Sequence, residues 1–266
     1  MPFVRARDLV VHFAFDGPPD APVVLLANSL GTNVHLWDEQ IEPLAASRRV
    51  LRYDMRGHGL TTTANGPLPT ETRVEELADD AVALLDALRI ARASVVGLSI
   101  GGLVTQRLAA AYPQRVERVV LCATGSRIGT VASWNERIAT VEREGIGAIV
   151  EATMGRWFTA RTRAERPELV RGFSAMLLST PRAGYVAGCH AVRDADLRTD
   201  DARITCPALV LTGEGDPTAP PDVGTALRDA IPNAEFALIT GASHLLCVEQ
   251  PAATNAMLLR FLEDER

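Results

Sequence analysis

The chain holds 266 residues, 47% of them hydrophobic, with a formal net charge of -6. That length suits one domain with a full core, and the negative balance gives no electrostatic footing for nucleic acid. All 27 basic residues are arginine and none is lysine, which removes Schiff-base chemistry, Ser-Lys dyads, pyridoxal phosphate attachment and the P-loop lysine.

The first residues carry no signal-peptide core, and no segment reaches the ~20 apolar residues of a membrane span, so a cytoplasmic chain with no membrane partner is expected. Residues 3–15 alternate as a two-stranded hairpin turning near Asp8, and Asp16-Gly17-Pro18-Pro19 ends it. Residues 22–27 are a continuous apolar run, the pattern of a strand buried on both faces of a parallel sheet. The loop Asn28-Ser29-Leu30-Gly31-Thr32 follows, then a short helix near 37–46, a strand over 49–53 and the loop Asp54-Met55-Arg56-Gly57-His58-Gly59. A helix over 72–88 puts Val74, Leu77, Ala81, Leu84, Leu85 and Leu88 on one stripe. Residues 93–98 and 116–123 are further buried strands around a helix over 100–112. Strict alternation of strand and helix predicts an α/β fold with a doubly wound, mostly parallel sheet.

From 125 to 200 the rhythm changes: apolar positions take helical spacing and no strand-like run occurs. This stretch reads as a helical cap inserted into a core made of residues 1–124 and 201–266. Alternation resumes with a strand at 208–211, the loop Thr212-Gly213-Glu214-Gly215-Asp216-Pro217, a helix over 222–230 and a strand over 234–239. Thr240-Gly241-Ala242-Ser243-His244 and a closing helix over 251–263 complete the chain. Cys122, Cys189, Cys206 and Cys247 form no Cys-x-x-Cys pair and read as buried thiols, with neither a zinc site nor a disulfide framework.

Ser94-Val95-Val96-Gly97-Leu98-Ser99-Ile100-Gly101-Gly102 joins a buried strand, a serine between two glycines and a helix start. It matches the Gly-x-Ser-x-Gly nucleophile elbow of α/β-hydrolases. A nucleophile on so tight a turn has a strained backbone, and side chains two residues to either side would meet the adjoining strand and helix. Ser99 is therefore the candidate nucleophile. Its base and acid are expected in the order Ser, Asp or Glu, His, on loops after later strands. His244 is the only histidine beyond residue 200, whereas His12, His35, His58 and His190 lie elsewhere in the pattern. Asp216, braced by Gly215 and Pro217, is the candidate acid, with Glu214 as the alternative. Oxyanion donors are expected at the backbone N–H groups of Ile100 and Leu30. Gly213-Glu214-Gly215 lacks the third glycine of a dinucleotide loop and no His-Glu-x-x-His occurs, so no cofactor or metal is expected.

With this constellation the chain resembles the α/β-hydrolase superfamily over nearly its whole length. Ala27-Asn28-Ser29-Leu30-Gly31-Thr32, Leu98-Ser99-Ile100-Gly101-Gly102, Arg127-Ile128-Gly129-Thr130 with Ser133-Trp134-Asn135-Glu136-Arg137, and Arg156-Trp157-Phe158-Thr159 look like segments of 3-oxoadipate enol-lactonases. The resemblance implies hydrolysis of a small anionic enol-lactone in the β-ketoadipate route of aromatic breakdown, with Trp134, Arg137 and Trp157 at the substrate. An arginine suits the substrate carboxylate, and residues 125–200 hold 11 arginines against 9 acidic residues, a balance of +2. Another carboxylesterase or lactonase, a C–C bond hydrolase, a cofactor-free perhydrolase and a non-catalytic ligand receptor are the alternatives on the same frame. Oligomeric state is not specified by the sequence.

Overall fold

The computed structural model describes residues 2–263. Strands β1 (Phe3–Ala6) and β2 (Leu9–Asp16) pair antiparallel, with Arg7 at φ 54° in their turn. β3 (Val23–Ala27) leads through helix α1 (Asp38–Ala45) to β4 (Arg49–Tyr53). A two-residue strand, β5 (Thr62–Thr63), precedes α2 (Val74–Ala87), β6 (Ala93–Leu98), α3 (Ile100–Ala111) and β7 (Val116–Cys122). A run of helices then takes over: α4 (Val131–Glu144), α5 (Val150–Trp157), α6 (Ala160–Glu165), α7 (Pro167–Ser179) and α8 (Arg182–Asp194). After α9 (Arg198–Asp201) come β8 (Ala208–Gly213), α10 (Pro221–Ala230), β9 (Glu235–Ile239), α11 (Leu246–Glu249) and α12 (Pro251–Glu263).

The nine-stranded sheet has the order β1-β2-β4-β3-β6-β7-β8-β9, with β5 added to β2. From β4 through β9 all pairings are parallel, and β2 joins β4 antiparallel. The path from β3 to β4 runs one way across the sheet and the path from β4 to β6 runs the other. Right-handed crossovers in opposite directions put their helices on opposite faces. Accordingly α1 packs with α12, while α2, α3, α9 and α10 make up the second layer. Loops following β3 and β6 thus diverge at a reversal of strand order, where the carboxyl ends of parallel strands leave a crevice.

The doubly wound, mostly parallel sheet read from the sequence is the architecture observed. Two small elements escaped the pattern. β5 is too short for any periodicity, and α11 is a single turn between His244 and α12. Cys122, Cys189 and Cys247 are buried, but Cys206 is only half-buried; all are free. The outer limits given for the core at residues 1 and 266 lie outside the described residues. Among the described residues no helix is long and apolar enough to cross a membrane.

Two local features position the crevice. A Cβ on Gly97 would stand 2.1 Å from the Gly101 carbonyl oxygen, and one on Gly101 would stand 2.3 Å from the Ala27 carbonyl oxygen. β6, the turn and β3 therefore approach closer than any side chain allows. The helices between β7 and β8 lean on the same end of the sheet, where a Cβ on Gly184 of α8 would lie 2.0 Å from the Gly57 carbonyl oxygen.

Gly97→Ala is expected to lower the thermal midpoint by about 5 °C or more, because overpacking against backbone costs upwards of about 1–3 kcal/mol. Gly147→Ala, with nothing within 4 Å of the added carbon, is the neutral control. A second expectation concerns Asp201, fully buried at the end of α9. Burial pushes its carboxyl up to about 6, the Ser126 side chain opposing the rise and the nearby Asp200 and Asp196 adding to it. A folded-state value above the unfolded one means that stability falls as pH rises through about 4 to 6 and stays low above. Asp201→Asn should raise the unfolding midpoint at pH 8, by an amount reflecting roughly 2–3 kcal/mol, and the gain should vanish near pH 4 in a pH series of thermal melts.

Candidate active site

Ser99 stands between β6 and α3 with φ 60° and ψ -116°, a conformation disfavoured for any residue with a Cβ. Hydrogen bonds hold it there from the end of β7 and the residues just after it: its N–H donates to the Cys122 carbonyl at 2.9 Å, and its carbonyl accepts from Thr124 Oγ1 at 2.9 Å. At the first position of α3, the Ile100 N–H has no partner within the helix and sits at its positive end.

The loop after β3 is fixed by Asn28. Its Nδ2 donates to the Tyr53 carbonyl at 2.7 Å, and its Oδ1 accepts from Trp37 Nε1 at 3.0 Å. Thr32 closes the loop by donating through N–H and hydroxyl to the Ser29 carbonyl. No hydrogen bond among the described residues uses the Leu30 N–H, so both expected oxyanion donors are unspent.

Across the crevice, His244 Nδ1 and Asp216 Oδ2 lie 2.8 Å apart, both buried. The second Asp216 oxygen accepts from the N–H groups of Thr218 and Ala219 at 2.8 and 3.2 Å. These anchor the carboxylate so that its free oxygen faces the imidazole. Glu214 faces away, its Oε2 accepting from the Gly241 N–H at 3.1 Å. The imidazole and Ser99 line the same chamber, yet no hydrogen bond joins them among the described residues. Contacts between nucleophile and base commonly tighten only when a substrate is bound.

The other histidines serve elsewhere. His12 Nδ1 pairs with Asp54 Oδ2 at 2.7 Å, and Asp54 also accepts from the Val34 and Leu60 N–H groups. That imidazole–carboxylate pair ties the 54–61 loop to β2, and none of its hydrogen bonds among the described residues involves a serine. His58 is buried with its Nδ1 3.1 Å from the Arg56 carbonyl, and burial lowers its basicity.

Ser29, Leu30, Ser99, Trp134, Arg137, Thr153, Arg156, Trp157, Tyr185, Thr218 and His244 enclose a chamber of ≈20 Å³, about the room one water needs. Trp134, Arg137, Arg156 and Thr218 also border an open groove of ≈270 Å³, so these four stand between chamber and solvent. Arg137 lies over the Trp134 ring, 5.3 Å from its centroid, and its Nη1 donates to the Tyr185 hydroxyl at 3.4 Å. Arg156 Nη2 donates to Thr153 Oγ1 at 3.4 Å. Neither guanidinium has a carboxylate partner among the described residues, unlike Arg143, Arg161, Arg193 and Arg198 of the same stretch. Burial pushes the Tyr185 phenol up, with Arg137 pulling back, so its hydroxyl stays protonated beside the guanidinium.

All eight residues singled out from the sequence are at this crevice: seven line the chamber or pair with its histidine, and Ile100 contributes its backbone N–H. The pattern missed Arg156, Thr153, Tyr185 and Thr218. Arg156 adjoins Trp157 in a segment already noted, which was its only signal; the others are ordinary in composition.

The profile of the α/β hydrolase fold matches residues 22–251. The chain is 36% identical over 262 residues to 3-oxoadipate enol-lactonase 2 of Acinetobacter baylyi, covering 97% of this chain and 96% of that one. Its structure is similar to the enol-lactonase of Burkholderia xenovorans, with a TM-score of 0.95 at 37% identity over 99% of this chain and 100% of the other. A thermophilic esterase from Thermogutta terrifontis gives a TM-score of 0.90 at 27% identity, covering 98% and 97%. A match running from β3 past β9, together with relatives this similar over their full lengths, makes the chain a hydrolase that belongs to the α/β-hydrolase family.

Proposed function

We propose that the chain is a serine hydrolase that opens 3-oxoadipate enol-lactone to 3-oxoadipate, with residues 125–200 acting as the cap that selects the substrate. One observation carries the reading: His244, paired with the buried Asp216, and the strained Ser99 share a chamber with two guanidiniums that have no carboxylate partner among the described residues. Catalysis needs the first half of that arrangement and a small anion needs the second. The substrate class comes from the enol-lactonase relatives, whose similarity extends over the helical segment.

In this reading His244 Nε2 takes the proton of Ser99 as Oγ attacks the lactone carbonyl. Asp216 holds the imidazole in the tautomer with Nδ1–H toward the carboxylate and stabilises the charge that develops. The N–H groups of Leu30 and Ile100 meet the oxyanion. Collapse breaks the ring C–O bond, and the enol leaves on its own oxygen and tautomerises to the ketone. The proton held by His244 goes to the departing enolate, which leaves the imidazole neutral; water then attacks the acyl-enzyme as His244 takes one of its protons, and His244 returns that proton to the departing Ser99 oxygen. Arg137, with Trp134 and Trp157 as apolar walls, receives the substrate carboxylate, and Arg156 stands beside it at the mouth. A chamber of ≈20 Å³ is too small for the lactone, so the four side chains at its mouth must part on entry.

Ser99→Ala is expected to lower turnover by about 10³-fold or more with an unchanged thermal midpoint. Ser99→Gly should be equally inactive yet melt higher, since relief of a strained φ is worth about 1–3 kcal/mol; activity in either variant would sink the assignment. Arg137→Gln should raise KM for the enol-lactone by about tenfold or more and leave KM for a neutral ester nearly unchanged. Equal effects on both, followed as loss of enol-lactone absorbance and release of nitrophenol, would remove Arg137 from substrate recognition.

A further inference from the structure

The His244 loop is hydrogen-bonded to the helical segment as well as to the loop that follows β8. Glu249, at the end of α11, is buried and has no role in the chemistry above. Its Oε2 accepts from the Ser243 N–H at 2.6 Å, one residue before His244. Its Oε1 accepts from both the N–H and the hydroxyl of Thr159, each at 2.8 Å, at the junction of α5 and α6. Three donors, two backbone N–H groups and one hydroxyl, converge on an acceptor-only group.

Further bonds run in parallel. Ser243 Oγ donates to the Arg156 carbonyl at 2.8 Å, the Leu245 N–H to the Trp157 carbonyl at 3.1 Å, and Arg166 Nη1 to the Val248 carbonyl at 3.2 Å. On its other side the loop is bound to the Asp216 loop, where the Gly215 N–H donates to the Ala242 carbonyl at 2.9 Å. His244 is thus clamped between its acid and the segment that carries Arg156 and Trp157.

We infer that Glu249 is a positioning residue: its carboxylate joins the His244 loop to the Thr159 junction, so that the imidazole reaches its working place only when the helical segment is seated over the site. This rests on the reading of His244 as the base, and not on the identity of the substrate. The carboxylate is required, because an amide must turn its NH2 toward either the Ser243 N–H or the Thr159 donors. Whichever way Glu249→Gln settles, one side of the bridge meets donor against donor.

The test uses the full-length protein, with the enol-lactone and 4-nitrophenyl acetate as separate substrates. Glu249→Gln is expected to lower kcat on each by about tenfold to a hundredfold, the cost of misplacing a catalytic group by a fraction of an ångström to about one. KM should stay within about twofold. The downfield proton resonance of the His244 Nδ1–H···Asp216 bond should move or broaden. Thr159→Val, which removes one of the donors and leaves the others, should lower kcat in the same direction and by less, and it carries the test if Glu249→Gln does not fold. An unchanged kcat in the folded variants overturns the inference. So does a loss of activity that tracks only the folded fraction while the His244 resonance stays in place. If the wild type turns over the ester and not the lactone, the substrate assignment fails and the ester arm still decides the role of Glu249.

Discussion

Everything at the carboxyl end of the sheet depends on how closely three backbones meet at Ser99. Gly97 faces the Gly101 carbonyl and Gly101 faces the Ala27 carbonyl, at distances where a methyl group has no room. That approach forces φ 60° on the serine between them and turns its hydroxyl outward. A strained residue persists only when its surroundings over-determine it. Here the bonds from the Ser99 N–H to Cys122 at the end of β7 and from Thr124 just beyond it to the Ser99 carbonyl do so, both from buried residues. The same geometry leaves the Ile100 N–H at the open end of α3, beside the loop that presents Leu30.

Electrostatics divides the site into two halves. Asp216 is satisfied on one oxygen by two backbone N–H groups and offers the other to His244, which leaves the pair oriented and shielded from water. The second half is cationic: Arg137 and Arg156 face the chamber with hydroxyl and aromatic neighbours in place of carboxylates. A half-buried guanidinium whose hydrogen-bond partners among the described residues are neutral is free to pair with an incoming anion. The His12–Asp54 pair makes the contrast plain, since the same two side chains at nearly the same distance serve only to hold a loop.

The helical segment is joined to the sheet at points that matter to the chemistry. The Gly57 and Gly184 backbones touch, Tyr185 reaches from α8 to Arg137 over the chamber, and the run from Arg156 to Arg166 is bonded to the run from Ser243 to Glu249. Movement of these helices therefore bears on the histidine loop as well as on access to the serine.

The parallel sheet was legible in the chain itself, because strands buried on both faces leave short apolar runs, unbroken at residues 22–27 and 119–123 and interrupted only by Ser94 at 93–98, whatever they pair with. Ser99 was legible because a strained turn leaves a local mark in its glycines, and His244 and Asp216 because their order along the chain follows from the order of the strands. Tertiary structure alone decided between Asp216 and Glu214, two residues apart in one loop: anchoring by Thr218 and Ala219 aims the first, and Gly241 draws off the second. It alone brought Arg156, Thr153, Tyr185 and Thr218 to the chamber, and joined Glu249 to Thr159 across 90 residues. Periodicity and turn chemistry are local in the chain, and so they report on elements and their ends. The partners of a buried polar group are set by which elements meet, and that is fixed only when the sheet and the helices above it have packed.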